Sequence, residues 1–203
     1  VFIKRYGDCK DMANLLKDML NLAGIEAYHT WIGTRSRPYT YDDVPSAIAD
    51  DHMICTVKMN DAYIFLDATN AFISFGKPSS MIQGKEALIG INTKDFLVTK
   101  VPVVSRTENI RTDTLLIRLD NMEVNGNFTS RLQGYKKDDF EINQFRAALR
   151  NEDQSIRDFF GIGSNNIVIE KTSIQGLGEQ DKHAIVNFNF RLPNYVKAVG
   201  DKI

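Results

Sequence analysis

The sequence predicts an α+β chain of two modules: a helix that opens on a cysteine and lies against an antiparallel sheet, then a β-rich module with a helical insertion. Three observations predict it. After Cys9 the apolar residues Met12, Leu15, Leu16, Met19, Leu20 and Ala23 recur at helical spacing. Met53 to Met59 and Ala62 to Leu66 are short runs rich in β-branched, aromatic and large apolar residues, split by the turn residues Asn60-Asp61. Beyond residue 93, further strand-like runs enclose one helical stretch.

The helix has both of its ends written in the chain. Asp8 is placed to cap the free N–H groups of the first turn, and Gly24 ends the apolar periodicity. Cys9 then falls at the first or second helical position, where N–H groups and the helix dipole favour an anion. The same N–H groups are suited to an oxyanion formed when the sulfur attacks a carbonyl. Gly7 permits a tight approach just before the helix. A small buried cysteine on a core helix fits the spacing to Met12 and Leu16 equally well.

The two runs around Asn60-Asp61 read as an antiparallel hairpin pairing Lys58 with Tyr63, Thr56 with Phe65 and Ile54 with Asp67. That register sets His52 diagonally across from Asp67 on one face, because residues two apart share a face. Met53, Cys55, Val57, Ile64 and Leu66 take the other, more apolar face, which is expected to be the core side. The helix carrying Cys9 is therefore expected over the His52 face. By the same parity Cys55 is a buried free thiol with no disulfide to Cys9.

The residue types then assign roles. Cys9 would attack an amide carbonyl, His52 would take the thiol proton and return it to the leaving amine, and Asp67 would orient the imidazole. Taken singly, His52 also reads as a strand-edge histidine and Asp67 as a strand-end cap before Ala68, Thr69 and Asn70.

In chain order, Arg5-Tyr6-Gly7-Asp8-Cys9-Lys10-Asp11, Leu22-Ala23-Gly24-Ile25-Glu26-Ala27, Asp51-His52 and Tyr63-Ile64-Phe65-Leu66-Asp67-Ala68-Thr69 resemble the transglutaminase-like superfamily, which shares the papain-type triad. The resemblance covers about residues 2–90. It implies a partial transglutaminase-like (papain-like) domain with Cys9 as nucleophile, His52 as general base and Asp67 as orienting acid. It also implies that Tyr28, His29 and Trp31 flank the cleft. The stretch from Phe75 to Leu88, with Gln83-Gly84-Lys85-Glu86-Ala87-Leu88, is similar to the tail of this domain in large secreted bacterial proteins, chiefly of Bacteroidetes. There it lies between an N-terminal and a C-terminal β-rich domain. Only eight residues precede Cys9 in this chain. An N-terminally truncated domain is therefore expected, with the rest of a parent chain packing on it and part of the cleft wall and a second oxyanion donor supplied from there. The resemblance places the protein in the periplasm, the cell envelope or the secreted fraction.

Composition is that of a soluble globular protein, with 43% hydrophobic and 25% charged residues and a formal net charge of -1 over 203 residues. No basic stripe with interleaved aromatics points to nucleic acid, and no run is long enough to span a bilayer. The division is placed near residue 93, giving 1–93 as the transglutaminase-like domain and 94–203 as the β-rich domain. In the latter, 114–119, 127–132, 166–173 and 182–192 read as strands, and 138–151 and 153–160 as helices. The result is an α+β or β-sandwich-like module with a helical insertion at about 138–160. Asn127-Phe128-Thr129 matches a glycosylation acceptor, a pattern frequent by chance. His183 reads as a solvated strand start. Asp42-Asp43 and Asp50-Asp51 are placed to flank a cation but read as solvated faces, and no metal or cofactor is assigned. A metal site on His29 and His52 requires the two imidazoles to converge, which their separation neither favours nor excludes, and Cys9 with two histidines lacks the short ligand spacing of structural zinc.

Two functional expectations follow. The first is cysteine-dependent acyl transfer on an amide, by hydrolysis of a peptide or isopeptide or by transfer to an amine, with a peptide, protein or peptidoglycan-like substrate. The second is a catalytically inactive cell-envelope module whose β-rich part binds protein or glycan.

Overall fold

The computed structural model describes residues 6–120, 122–147, 152–162, 166–180 and 182–195. The chain forms a mixed α+β structure in two compact units, divided along the chain between Val104 and Ser105. The division expected near residue 93 falls instead inside the first unit, in the turn before its last strand.

The first unit begins with α1 (Cys9–Leu22), followed by β1 (Ala27–Ile32), a single 3-10 turn at Ala47–Ala49, β2 (His52–Met59), β3 (Ala62–Leu66), β4 (Glu86–Gly90) and β5 (Phe96–Lys100). Its five strands form one antiparallel sheet in the order β3-β2-β1-β4-β5. The hairpin register is the one the turn dictates: Lys58 faces Tyr63 and Thr56 faces Phe65. Asn60 and Asp61 sit at φ 47 and φ 61, the pair of left-handed residues that a two-residue hairpin turn requires. β3 ends at Leu66, so Asp67 lies one step past the ladder.

Both faces of this sheet are covered, and α1 lies on the face opposite to the one expected. Leu16 and Leu20 of the helix pack on Ala27, Cys55 and Val57, with Ile64 and Leu66 beside them. The His52 face carries the larger cluster, in which Tyr28, Ile32, Ile54 and Phe65 meet Ile82, Ala87, Ile89 and Val101. Thr30 and Thr56, both fully buried in that face, satisfy each other through a 2.7 Å hydroxyl bond. His52 pairs with Ile32 at the very start of β2, so it stands at the end of the sheet and not in the middle of a face.

In the second unit, β6 (Arg111–Asp120), β7 (Glu123–Leu132), β8 (Val168–Gln175) and β9 (Ala184–Leu192) form an antiparallel sheet in the order β6-β7-β9-β8. Between β7 and β8 come α2 (Tyr135–Ala147) and α3 (Glu152–Phe160). The end of the predicted first helix, 148–151, lies outside the described residues. Among the described residues this unit has one sheet, with helices on one face, and not a sandwich.

Alternation on β9 puts Ala184, Val186, Phe188 and Phe190 inward, where they meet Leu132, Phe140, Ile156 and Ile167. Phe140 is fully buried among them, and truncation of such a ring to alanine costs about 3–5 kcal/mol. Gly134 opens the way into α2 at φ +60, where an added Cβ would come within 2.1 Å of the Glu108 carbonyl oxygen. Asn127 is a rung of the central strand β7, its amide donating to Asn189 at 2.9 Å, which is a sheet position and not an acceptor loop. His183 is half-buried, one residue before β9.

Candidate functional site

Local chemistry fixes where Cys9 stands. Asp8 Oδ1 accepts from the backbone N–H groups of Lys10 (2.9 Å) and Asp11 (3.1 Å), while Asp11 Oδ2 accepts from Asp8 N–H at 3.2 Å. This reciprocal box starts the helix at Cys9. It also amends the sequence expectation for the sulfur, because two of the first-turn N–H groups are already taken by the cap. The N–H of Cys9 is not among the groups that the Asp8 carboxylate takes.

His52 opens β2, and its position is set by the residues before it. Asp51 accepts from Thr34 N–H (2.7 Å), Thr34 Oγ1 (2.9 Å) and Arg37 Nε (3.1 Å), which ties the loop after β1 to the start of β2. Burial disfavours the Asp51 carboxylate, but these donors outweigh it and hold its pKa below the ordinary value. Asp50 accepts from the Tyr41 hydroxyl, yet burial dominates there and its pKa is raised.

Across the sheet end, His52 Nε2 lies 3.0 Å from Asp67 Oδ2, with the two side chains 7% and 1% exposed. Four donors converge on the Asp67 carboxylate. Oδ2 takes His52 and the Ser79 hydroxyl (2.7 Å), and Oδ1 takes the Thr69 N–H (3.1 Å) and hydroxyl (2.6 Å). Burial alone would raise its pKa; the bonds from His52 and Thr69, the imidazole charge and the Ser79 bond together lower it. For His52 burial works against the charged ring, but the bond and charge of Asp67, with the Cys9 sulfur adding in the same direction, raise its pKa above the ordinary value.

Cys9 and His52 line one pocket of about 420 Å³, together with Lys10, Trp31, Ile48, Asp50, Asp51 and Met53. Cys9 is partly exposed there. Of the aromatic residues expected to flank a cleft, Trp31 is in the pocket wall. Tyr28 belongs to the core, and His29 bonds Asn14 at 3.0 Å. Cys55 is fully buried, unpaired, and pushed by burial to a pKa of about 11. Among the described residues no group of three or more His, Cys, Asp or Glu side chains is arranged to hold a metal ion.

Two supporting residues were not singled out from sequence. Thr69 was legible in principle, since Asp67-Ala68-Thr69 is the pattern of an aspartate turn that bonds the N–H two residues on. Ser79 comes from the loop between β3 and β4, and nothing local to it announces the contact. No family model, no curated protein and no solved structure matches the chain. No helix among the described residues is long and apolar enough to cross a membrane.

Proposed function

We propose that the first unit is a cysteine-dependent acyl-transfer domain of transglutaminase-like, papain-type organisation, acting on an amide bond of a peptide, protein or peptidoglycan-like substrate at the cell envelope or outside the cell. The observation that carries this reading is a partly exposed cysteine at a helix start sharing a pocket with a histidine that is held by a buried carboxylate.

The chemistry follows from what each group has left to give. Asp67, ionised and saturated with donors, can only accept, so the neutral imidazole carries its proton on Nε2 and offers Nδ1 as the base. Nδ1 takes the Cys9 proton, and the sulfur attacks the amide carbon. The C–S bond forms, and the carbonyl oxygen becomes an oxyanion, for which the Cys9 N–H at the helix start is the proposed donor. Collapse breaks the C–N bond, and the amine leaves with the proton from the imidazolium. Water or an amine then attacks the thioester and gives its proton to His52, releasing an acid or a new amide and regenerating the thiol. Trp31, Ile48 and Met53 give the pocket an apolar part for an acyl group, beside the charged Lys10, Asp50 and Asp51.

A carbonyl-directed or alkylating electrophile tests this directly. Iodoacetamide is expected to modify Cys9 and spare Cys55 in the folded protein, and Cys9→Ser is expected to abolish labelling without unfolding. Labelling that survives Cys9→Ser, or a Cys9 as inert as Cys55, would remove the nucleophile and leave a scaffold.

A further inference from the structure

We propose that Ser79 is a positioning residue for His52, its buried hydroxyl sharing Asp67 Oδ2 with the imidazole and thereby setting how firmly the carboxylate holds the ring. Its catalytic consequence rests on the acyl-transfer reading; its physical claim does not.

The geometry is specific. Ser79 is 3% exposed and its Oγ donates to Asp67 Oδ2 at 2.7 Å. That oxygen is the one 3.0 Å from His52 Nε2, so two donors compete for one concentration of charge. Among the described residues the other oxygen is filled by Thr69 alone. The carboxylate therefore has about four acceptor sites and four donors, and its plane cannot turn without losing one.

Ser79 is itself held from the core. Its carbonyl accepts from Ile82 N–H at 3.1 Å, and Ile82 is fully buried among Ala87, Ile89 and Val101. A hydroxyl fixed in this way draws charge from Oδ2 whether or not the ring is protonated. Without it, the oxygen would turn its full charge to the imidazole and bind the protonated ring more tightly.

The other charged or titratable groups lining the pocket with His52 have different anchors. Cys9 and Lys10 come from α1, Asp51 is tied to Thr34 and Arg37, and Asp50 is tied to Tyr41. None of these bonds involves Ser79, so a substitution there reaches His52 through Asp67.

The test is the ring titration of His52, followed by NMR in the full chain, which has three histidines to assign. Ser79→Ala is expected to raise the proton affinity of His52 by about threefold, roughly half a pH unit. Ser79→Thr, which keeps the hydroxyl, is expected to restore it. Ser79→Cys, a weaker donor of similar size, should give a rise between the two, and it serves if the alanine variant fails to fold. A lower melting temperature with an unmoved His52 titration in Ala and Cys would show Ser79 to be merely structural and overturn the proposal. Because the titration needs no turnover, it stands apart from the Cys9 labelling test: an inert Cys9 with a shifted His52 would sink the acyl-transfer reading and leave this one standing.

Discussion

His52 Nε2 and Asp67 Oδ2 stand 3.0 Å apart with the carboxylate almost wholly withdrawn from solvent. A buried charge is tolerated only when it is paired and fully bonded, and here every lone-pair site of Asp67 is met. Replacing the carboxylate by an amide keeps the shape, removes the charge, and sets an N–H against one of the existing donors. Asp67→Asn is therefore expected to lower the His52 titration midpoint relative to the parent, as followed by NMR. If the pocket is a nucleophilic site, it should also slow Cys9 modification or turnover by about 10²–10⁴-fold, the range that an oriented general base contributes. Unchanged rates with a shifted midpoint would separate the pair from the chemistry.

The same pair makes stability depend on pH in a stated direction. The pKa of His52 is raised in the folded state, so its contribution is complete below the ordinary value of 6.5 and is lost as pH rises through the folded value. The pKa of Asp67 is depressed, so its contribution is complete above the ordinary 3.8 and is lost as pH falls through the folded value. Melting temperature is expected to be highest between 3.8 and 6.5 as far as this pair decides it, and to decline on the alkaline side. In Asp67→Asn that alkaline decline should flatten. An unaltered profile would mean that other groups govern it.

The helix start and the hairpin were legible because each is decided by a few adjacent residues. Asp8 and Asp11 fix the beginning of α1, and Asn60-Asp61 fix a register that two-residue parity then carries to His52 and to the position just beyond Leu66. The side of the sheet covered by α1 was not legible. Thr30 and Thr56 make the His52 face look polar, yet they satisfy one another inside it, and Tyr28, Ile54 and Phe65 complete a core there. Alternation reports burial on one face only when the other is wet, and here neither is.

The limit of the first unit was misplaced for a related reason. β5 is an edge strand whose Phe96, Leu97 and Val98 are all exposed, so it lacks the alternation by which a strand is recognised. Ser79 was hidden because its contact to Asp67 spans a loop that carries no pattern.

The position of β5 yields a truncation experiment. It pairs with β4 from Glu86–Lys100 to Gly90–Phe96, and Val101, just beyond it, is 1% exposed in the core with Ile82 and Ile89. A chain ending at residue 93 is expected to lose cooperative unfolding and to aggregate through the bared edge of β4, whereas one ending at Val104 should keep a sharp thermal transition. Equal behaviour of the two would show that β5 adds nothing to the first unit.

Asp8 does two opposed things at the head of α1. Its carboxylate bonds the Lys10 and Asp11 N–H groups and starts the helix, a cap whose loss costs about 1 kcal/mol. The same negative charge lies one residue from the sulfur, and it occupies N–H groups that would otherwise turn toward an anion there. Asp8→Asn keeps a capping oxygen and removes the charge, so the helix should be retained with little change in melting temperature while Cys9 alkylation at neutral pH becomes faster. Asp8→Ala removes both, and should lower stability by about that 1 kcal/mol while alkylation again quickens. Measured together by thermal unfolding and by iodoacetamide kinetics, the two variants separate capping from charge. A slower Cys9 in Asp8→Asn would mean that the carboxylate helps the sulfur, and that the cap belongs to the site and not only to the helix.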